Sequence, residues 1–362
     1  MVVKSLKTEN YRNLENTVFY PAKGINVIYG SNAQGKTNLI ECLWLFTGGR
    51  SFRGSKENEL IAFGKNKADI ELCFQTKERE QTIRFGIQGG KRQPVLNDVP
   101  KSSLSQIVGS FCAVVFSPDH LTLIKNGPDE RRNFIDGAIC QIRPAYASLL
   151  SRYKKILSER NALLKDIPHH RELEDTLDIW NERLSVEGSD VAVQRMSYIK
   201  ELREPAISFY EGISSGKERL SLEYRMNYPA NVDMSRDEIA DVMLKTLRKK
   251  QNDDIYCGYT TTGIHRDDLM VKINDMEARS FGSQGQQRSA VLALKLAEAE
   301  QIGENRGENP VILLDDVLSE LDNTRRNYLL KELSGMQIFI TCCEPFVDAE
   351  NIVHIENGKI CC

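Results

Sequence analysis

The spacing of apolar side chains divides the chain into stretches of different character. In residues 1 to about 120, short apolar runs and alternating apolar and polar positions predict strands. These predicted strands cover residues 24–30, 69–74, 81–87 and 111–116. From about residue 128 to residue 213, apolar residues recur every three or four positions, which predicts a pair or bundle of helices. Strands return from about residue 256.

The pattern predicts an α/β fold in which both ends of the chain build one domain and a mainly helical domain is inserted between them. The predicted segments are 1–120, 121–250 and 251–362. Within the later part, we expect a strand at 220–226, helices at 236–250, 284–300 and 319–333, and strands at 311–316 and 337–341.

Composition narrows the class of protein. The chain has 362 residues, of which 41% are hydrophobic, so it can bury a sizeable core. It has no apolar run of membrane-spanning length and no signal-peptide pattern at its start, so we expect a cytoplasmic protein with no membrane partner. Nine cysteines without Cys-x-x-Cys spacing indicate reduced thiols. The net charge of −3 gives no support for a DNA-coating protein, but it leaves room for a local basic surface.

A glycine-rich motif follows the first buried strand. Residues 30–37 read GSNAQGKT and fit the pattern G-x-x-x-x-G-K-[ST], between a predicted strand and a predicted helix at 38–46. The backbone of such a loop cradles phosphates, the lysine reaches the β- and γ-phosphates, and the hydroxyl holds Mg²⁺. The motif therefore predicts an ATP site. Its residues are Gly30, Ser31, Asn32, Ala33, Gln34, Gly35, Lys36 and Thr37.

A second motif, VILLDDVLSELD at 311–322, ends an apolar strand on two adjacent acids. Next to a phosphate loop, Asp315 is expected to complete the Mg²⁺ site, and Asp316 is expected to polarise the attacking water. The alternative is that both acids only cap the helix predicted to begin at Ser319.

A third motif, FGSQGQQR at 281–288, precedes a strong helical pattern. Ser283, Gly285 and Gln286 lie at the helix start, where a hydroxyl, backbone N–H groups and the helix dipole can bind an anion. One γ-phosphate does not need two such surfaces from one subunit. We therefore expect this loop to close on the nucleotide of a second subunit in a head-to-tail homodimer. Ordinary helix capping is the alternative.

The three motifs, in this order, resemble the head of ABC-type ATPases, and the chain as a whole resembles the bacterial RecF family, a relative of the SMC-type ATPases. The resemblance rests on LKTENYRNL, GSNAQGKTNLIECLWL, GRSFR, SPDHLTLIKNGPDERRNFID, GIHRDDL, GSQGQQRS and LLDDVLSELD. It implies a DNA repair and replication protein that dimerises on ATP and hydrolyses it slowly as a switch. It also implies nucleoid-associated work with RecO and RecR to load RecA recombinase at gapped or duplex DNA.

The resemblance also assigns roles to residues. Arg12 and Asn13 would contact the nucleotide, and Lys36, Ser283 and the two aspartates would be catalytic. Ser319 and Asp322 would form the D-loop at the dimer interface, and Arg50 or Arg53 an arginine loop, with a solvated arginine as an equal alternative. The chain departs from the wider pattern by having Asp316 where many heads have glutamate, Thr341-Cys342 where many have a switch histidine, Ile264 where proline is expected, and no clear Q-loop glutamine.

DNA contact is implied by the resemblance more than by charge. The candidate basic residues are Lys65, Lys67, Lys91, Arg92, Arg152 and Lys154. The alternative for each of these basic clusters is an ordinary solvated surface with no DNA contact. Two other functions are alternatives to a RecF-family protein. The soluble ATPase subunit of a membrane transporter fits less well because the helical insertion is long and the switch histidine is absent. A P-loop kinase would leave the Ser283 loop unexplained.

Overall fold

The computed structural model describes residues 1–14, 16–345 and 348–361. The strands are β1 Val2–Glu9, β2 Thr17–Phe19, β3 Ile25–Tyr29, β4 Lys67–Gln75, β5 Glu80–Gln88, β6 Lys91–Leu96, β7 Val99–Pro100, β8 Ala113–Phe116, β9 Leu220–Arg225, β10 Asp268–Ile273, β11 Met276–Glu277, β12 Val311–Asp315, β13 Ile338–Cys342, β14 Asn351–Glu356 and β15 Lys359–Cys361. Most strand positions alternate in burial or are wholly buried, as the apolar pattern predicts.

The α-helices are α1 Lys36–Leu45, α2 Thr122–Lys125, α3 Pro128–Ile142, α4 Ala145–Asp166, α5 Leu177–Ser214, α6 Arg236–Lys249, α7 Gln251–Cys257, α8 Ala278–Phe281, α9 Gln284–Arg306 and α10 Asn323–Glu332. Across the part of the chain that the structure describes, no helix is long and apolar enough to span a membrane.

The chain separates into two compact units. Unit 1 comprises Met1–Leu121, Ser208–Lys217 and Arg288–Cys362, and unit 2 comprises Thr122–Ile207 and Glu218–Gln287. In unit 1, one antiparallel sheet has the strand order β2-β1-β4-β5-β6-β7. A second sheet has the order β15-β14-β3-β13-β12-β8, parallel apart from β15, and α1 packs on β12 and β13. The mixed α/β class is as predicted from the sequence.

The parallel sheet brings distant motifs to one edge. β3 lies next to β13, and β13 lies next to β12, so all three strands end at the same side of the sheet. The phosphate loop follows β3, and Asp315 is the last residue of β12. Ligands of open α/β sheets bind beyond the carboxyl ends of the strands, and this edge is therefore the expected site.

Unit 2 combines the helical segment with the small antiparallel sheet β11-β10-β9. This differs from the predicted segments 121–250 and 251–362, because residues 251–287 group with the helices. The reason is strand pairing: β10 pairs with β9 and not with the later strands. Residues Ser208–Lys217 conversely group with unit 1, where Gly212 lies against the Tyr328 hydroxyl.

One predicted helix start needs correction, and one strand was not predicted. The helix expected from Ser319 begins only at Asn323, after a 3-10 turn over Leu318–Glu320 and an extended backbone at Leu321. The segment 91–96, interpreted from sequence only as carrying a basic cluster, is strand β6. Its alternating burial places Arg92 inside the unit.

Candidate nucleotide site

The loop between β3 and α1 approaches its neighbours so closely that side chains are excluded. A Cβ atom at Gly30 would lie 2.3 Å from the Ile355 carbonyl oxygen, and one at Gly35 would lie 2.9 Å from the Asn13 side-chain oxygen. Both glycines also have positive φ angles, 152° and 113°. Glycine tolerates both constraints, which explains these two positions of the motif.

Lys36 is folded into the loop that precedes it. Its ammonium donates hydrogen bonds of 2.5 Å to the Gly30 carbonyl and 3.0 Å to the Ser31 carbonyl, and the residue is buried. A buried ammonium held at the mouth of a glycine-rich loop, at the N-terminus of α1, creates local positive potential. The loop therefore has the electrostatic character that a polyphosphate requires.

Asp315 joins the two central motifs. One of its carboxylate oxygens accepts hydrogen bonds from the Thr37 hydroxyl at 2.9 Å and from the Thr341 hydroxyl at 2.8 Å. Burial raises the pKa of Asp315 above its usual value, although both hydroxyl hydrogen bonds oppose that shift. A cation would relieve the burial of this negative charge.

These two side chains fit Mg²⁺. The ion prefers hard oxygen ligands, and the Thr37 hydroxyl and Asp315 carboxylate supply them side by side at the phosphate loop. The remaining Mg²⁺ ligands in phosphoryl-transfer sites are commonly water and the nucleotide itself. The donor set and the buried carboxylate therefore support the Mg²⁺ assignment predicted from the sequence.

The backbone turns at Asp316, directly after the end of β12. Its φ angle is 54°, in the left-handed region, and its N–H donates to the Thr341 hydroxyl at 2.9 Å. The Ser319 hydroxyl lies 2.7 Å from the Asp316 carbonyl oxygen and 3.1 Å from a carboxylate oxygen, and donates to both. Thr341 thus contacts both aspartates from the position where other heads carry the switch histidine.

The alternative in which Asp315 and Asp316 cap the next helix is wrong. Asp322 is the N-cap of α10, and its carboxylate accepts from the Arg325 N–H at 3.0 Å. This leaves both strand-end aspartates available for other roles. Capping does not test the D-loop role of Ser319 and Asp322, which stays a prediction.

Arg12 and Asn13 lie against the phosphate loop and its helix. Arg12 donates to Glu41 on α1 at 2.5 and 2.8 Å and to the Ser55 hydroxyl at 2.7 Å. Asn13 accepts from the Asn38 side chain at 2.6 Å. Sequence reasoning missed Glu41, which is completely buried. The available signal was an acid within the apolar helix pattern that follows Lys36.

Arg12 and Asn13 also line an open cleft of about 810 Å³, together with Phe63, Lys65 and Lys359. The size is within the usual range for small-molecule sites. The cleft joins an exposed aromatic ring, polar side chains and two lysines beside the phosphate loop. It can therefore accept the base and sugar of a nucleotide whose phosphates lie in the loop.

Comparison with known proteins places the chain in a family. Residues 2–358 match the family described as RecF/RecN/SMC N terminal domain. The DNA replication and repair protein RecF of Ruminiclostridium cellulolyticum is 40% identical over 344 residues, covering 94% of this chain and 92% of that protein. The RecF of Agathobacter rectalis is 38% identical over 368 residues, covering 99% of each. The chain belongs to the RecF family.

Solved structures agree with this assignment. A structure described as the recombination mediator protein RecF-ATP in the RecFOR pathway has a TM-score of 0.95 and 36% identity, covering 99% of this chain and 96% of that chain. An Smc head domain from Pyrococcus furiosus, 16% identical, shares the fold with a TM-score of 0.55, covering 99% of this chain and 95% of that chain. The resemblance and the fold class predicted from the sequence are confirmed. RecF membership does not favour a transporter subunit.

The Ser283 loop of this RecF-family chain forms a capping box on α9. The Ser283 N–H donates to the Gln286 side-chain oxygen at 2.7 Å, and the Gln286 N–H donates to the Ser283 hydroxyl at 3.2 Å. The Gln286 amide also donates to Glu218 at 2.7 Å. Ser283 therefore caps α9, as the capping alternative in the sequence analysis predicts. Anion binding by Ser283 and Gly285 from a partner subunit stays a prediction.

The two candidate arginines of the RecF arginine loop differ in their contacts. The Arg53 guanidinium donates to the Asn38 side chain at 2.9 Å, one residue from Thr37. Arg50 contributes its carbonyl oxygen, which accepts from the Trp44 indole at 2.8 Å. The Arg53 guanidinium therefore lies beside the residue that follows the phosphate loop, which makes Arg53 the better candidate of the pair.

The basic residues considered for DNA contact are not equivalent. Arg92 requires correction: its guanidinium is buried, pairs with Glu57 at 2.9 Å and donates to the carbonyls of Leu45 and Gly49. The strand alternation turns it inward, so it belongs to the core of unit 1. The exposed candidates are Lys65, Lys67, Lys91, Arg152 and Lys154, of which Lys67 pairs with Asp69 and Arg152 with Glu187.

Proposed function

We propose that this chain is an ATP-dependent DNA repair and replication protein that uses slow ATP hydrolysis as a switch. One observation carries the nucleotide part: the Thr37 hydroxyl donates to Asp315 across 278 residues of sequence. This contact joins the end of the phosphate loop to the end of β12. The RecF relatives support the repair and replication part, because their names describe that role.

The proposed chemistry follows from the charges at the sheet edge. Lys36 would exchange its loop carbonyl partners for phosphate oxygens, since an ammonium binds anionic oxygen more strongly than a carbonyl. Thr37 and Asp315 would hold Mg²⁺, which neutralises charge on the phosphates when bound. Asp316 would orient the attacking water and accept its proton.

A homodimer would complete the site. Ser283, Gly285 and Gln286 from one subunit would bind the γ-phosphate held by the other, with Ser319 and Asp322 at the contact. Ser319 supports this coupling, because its hydroxyl donates to the Asp316 carboxylate. A dimer contact that moves Ser319 would change the hydrogen bonding of the proposed base. Hydrolysis would then depend on dimer geometry.

DNA binding would follow from dimerisation. The net charge is −3, and the exposed lysines lie in small groups, so one subunit offers a weak basic surface. Two aligned subunits would double that surface, and binding would be both ATP-dependent and salt-dependent. By its family, we propose that the chain acts at duplex or gapped DNA in the cytoplasm, at the nucleoid, with RecO and RecR, to load RecA. A RecF relative is described as part of the RecFOR pathway.

Sizing the protein with and without nucleotide tests the proposal. We expect monomers without nucleotide and with ADP, and dimers with a slowly hydrolysed ATP analogue and Mg²⁺. DNA binding should rise in parallel with the dimer. Ser283→Arg places a bulky cation at the proposed contact and should abolish the dimer while ATP binding by the monomer persists.

A second variant, Ser283→Asp, separates loss of the helix cap from loss of the dimer contact. Aspartate is as good an N-cap as serine, so α9 stays capped, while the added negative charge repels a partner's γ-phosphate. We expect Ser283→Asp also to lose the dimer. A dimer that persists in both variants would refute the shared site, and DNA binding that ignores nucleotide would refute the switch.

A further inference from the structure

The hairpin formed by β14 and β15 gathers three metal-ligand side chains on one face. One ligand atom from each of His354, Glu356 and Cys361 lies within 4.8 Å of those of the other two. Within the described part of the chain, a search for three or more histidine, cysteine or acidic side chains with ligand atoms this close together finds these three residues. The group contains neither Asp315 nor Thr37, so the Mg²⁺ site predicted from the sequence does not account for it.

The strand register explains why the three side chains meet. His354 lies directly opposite Cys361 in the antiparallel pair, and Glu356 is two residues from His354, on the same face. The His354 ring also contacts the Tyr29 ring on β3, with 4.9 Å between centroids. The regular backbone of the sheet and this ring contact together hold the imidazole next to the thiol.

We propose that His354, Glu356 and Cys361 bind a zinc ion. Thiolate, imidazole and carboxylate are the zinc ligands of proteins, and the thiolate selects zinc over the hard ions Mg²⁺ and Ca²⁺. Three protein ligands leave the fourth position to water. The side chains are partly or fully exposed, so the ion has access from solvent. Binding requires the thiolate form of Cys361 and releases its proton.

The hairpin also holds the phosphate loop. At its turn, the Asn357 N–H donates to the Gln34 side chain at 2.5 Å, and the Gly358 N–H donates to the Gln34 carbonyl at 3.0 Å. The Ile355 carbonyl lies against Gly30. Zinc would cross-link the two strands that carry these contacts. Its binding would therefore stiffen one wall of the nucleotide loop.

Metal titration of the untagged full chain tests the site without nucleotide. In a buffer with excess Mg²⁺ to fill hard-oxygen sites, we expect Zn²⁺ to compete with a chromogenic chelator and to saturate at one ion per chain. Co²⁺ should give thiolate-to-metal charge-transfer absorption, which reports directly on sulfur ligation. Cys361→Ser should abolish that absorption and weaken Zn²⁺ binding by more than about 10-fold, since losing even an outer-shell partner commonly costs that much.

Two further variants make the result specific. His354→Gln should weaken Zn²⁺ binding to a similar extent, whereas Cys257→Ser, which removes an exposed cysteine of unit 2, should leave it unchanged. Equal Zn²⁺ binding by the wild type, Cys361→Ser and His354→Gln would overturn the proposal. So would Co²⁺ absorption that is lost in Cys257→Ser. Failure here leaves ATP binding at Lys36 and Asp315 untouched, because zinc binding is measured without nucleotide.

Discussion

Replacing Asp315 by asparagine separates the folding role of this side chain from its proposed metal role. The carboxylate oxygen that accepts from Thr37 and Thr341 has a counterpart in the asparagine amide oxygen, which can accept both hydroxyls. Burial raises the pKa of Asp315, which means that the ionised form is disfavoured in the folded protein. At neutral pH the neutral amide removes that penalty. We therefore expect the nucleotide-free Asp315→Asn variant to be at least as stable as the wild type.

The variant should be less stable than the wild type only when Mg²⁺ and ATP are present. A ligand present at 100 times its Kd stabilises the folded state by about 2.7 kcal/mol, and at its Kd by about 0.4 kcal/mol. For a large domain, 1 kcal/mol shifts the midpoint by roughly 2–4 °C. If Asp315→Asn weakens MgATP binding 100-fold, as an order-of-magnitude estimate for a lost metal ligand, a shift of about 5–10 °C falls to about 1 °C.

Thermal unfolding measures this difference directly. The protein is melted without nucleotide, with ATP and Mg²⁺, and with ATP and a chelator, for the wild type, Asp315→Asn and Asp316→Asn. Asp316→Asn is the matched control, because it should keep the MgATP shift while hydrolysis falls. A full MgATP shift in Asp315→Asn would refute the metal role. A nucleotide-free midpoint lowered by more than about 5 °C would show instead that the carboxylate is needed for folding.

Three other changes test neighbouring parts of the structure. Glu41→Ala should lower the free energy of unfolding in urea by roughly 3–5 kcal/mol, because it strands the Arg12 guanidinium; a loss below about 1 kcal/mol would contradict this. Burial raises the pKa of Asp267 to about 6, so the folded state binds more protons than the unfolded state between about pH 4 and 6, and stability should fall as pH rises through that window. Asp267→Asn should flatten this dependence in urea melts at several pH values, and an unchanged slope would exclude Asp267 as its source. Gly358→Ala would place a Cβ 1.7 Å from the Asn13 carbonyl oxygen, so the turn must move; weaker ATP binding in a fluorescence titration is expected, and unchanged affinity would show that the loop tolerates the movement.

The sequence predicts the parts of this site whose chemistry requires fixed residue types at fixed spacing. A phosphate loop needs glycines, a lysine and a hydroxyl within eight positions, and the structure confirms the backbone reason for Gly30 and Gly35. The strand ending at Asp315 was predictable because four apolar residues in a row, at 311–314, indicate a buried parallel strand. Local patterns therefore sufficed for the loop, the strand and the fold class.

Contacts between distant segments were not predictable in this way. Arg92 is the clearest case, because a charged residue in a short polar-looking stretch is usually exposed. Here its guanidinium pairs with Glu57 and lies 5.5 Å from the centre of the Phe85 ring, partners that lie 35 and 7 positions away in sequence. Glu41 was missed for the same reason, because its partners Arg12 and Ser51 precede and follow the phosphate loop in the sequence.

The backbone at Asp316 bears on the departure from glutamate noted in the sequence. Its φ angle of 54° lies in the left-handed region, where aspartate and asparagine occur much more often than other residues with a Cβ atom. Aspartate there can also bond locally, as the contact with Ser319 illustrates. A glutamate at this position would face the same backbone strain without that short-range compensation. The left-handed turn therefore favours the shorter acid at this position, whatever part the carboxylate has in hydrolysis.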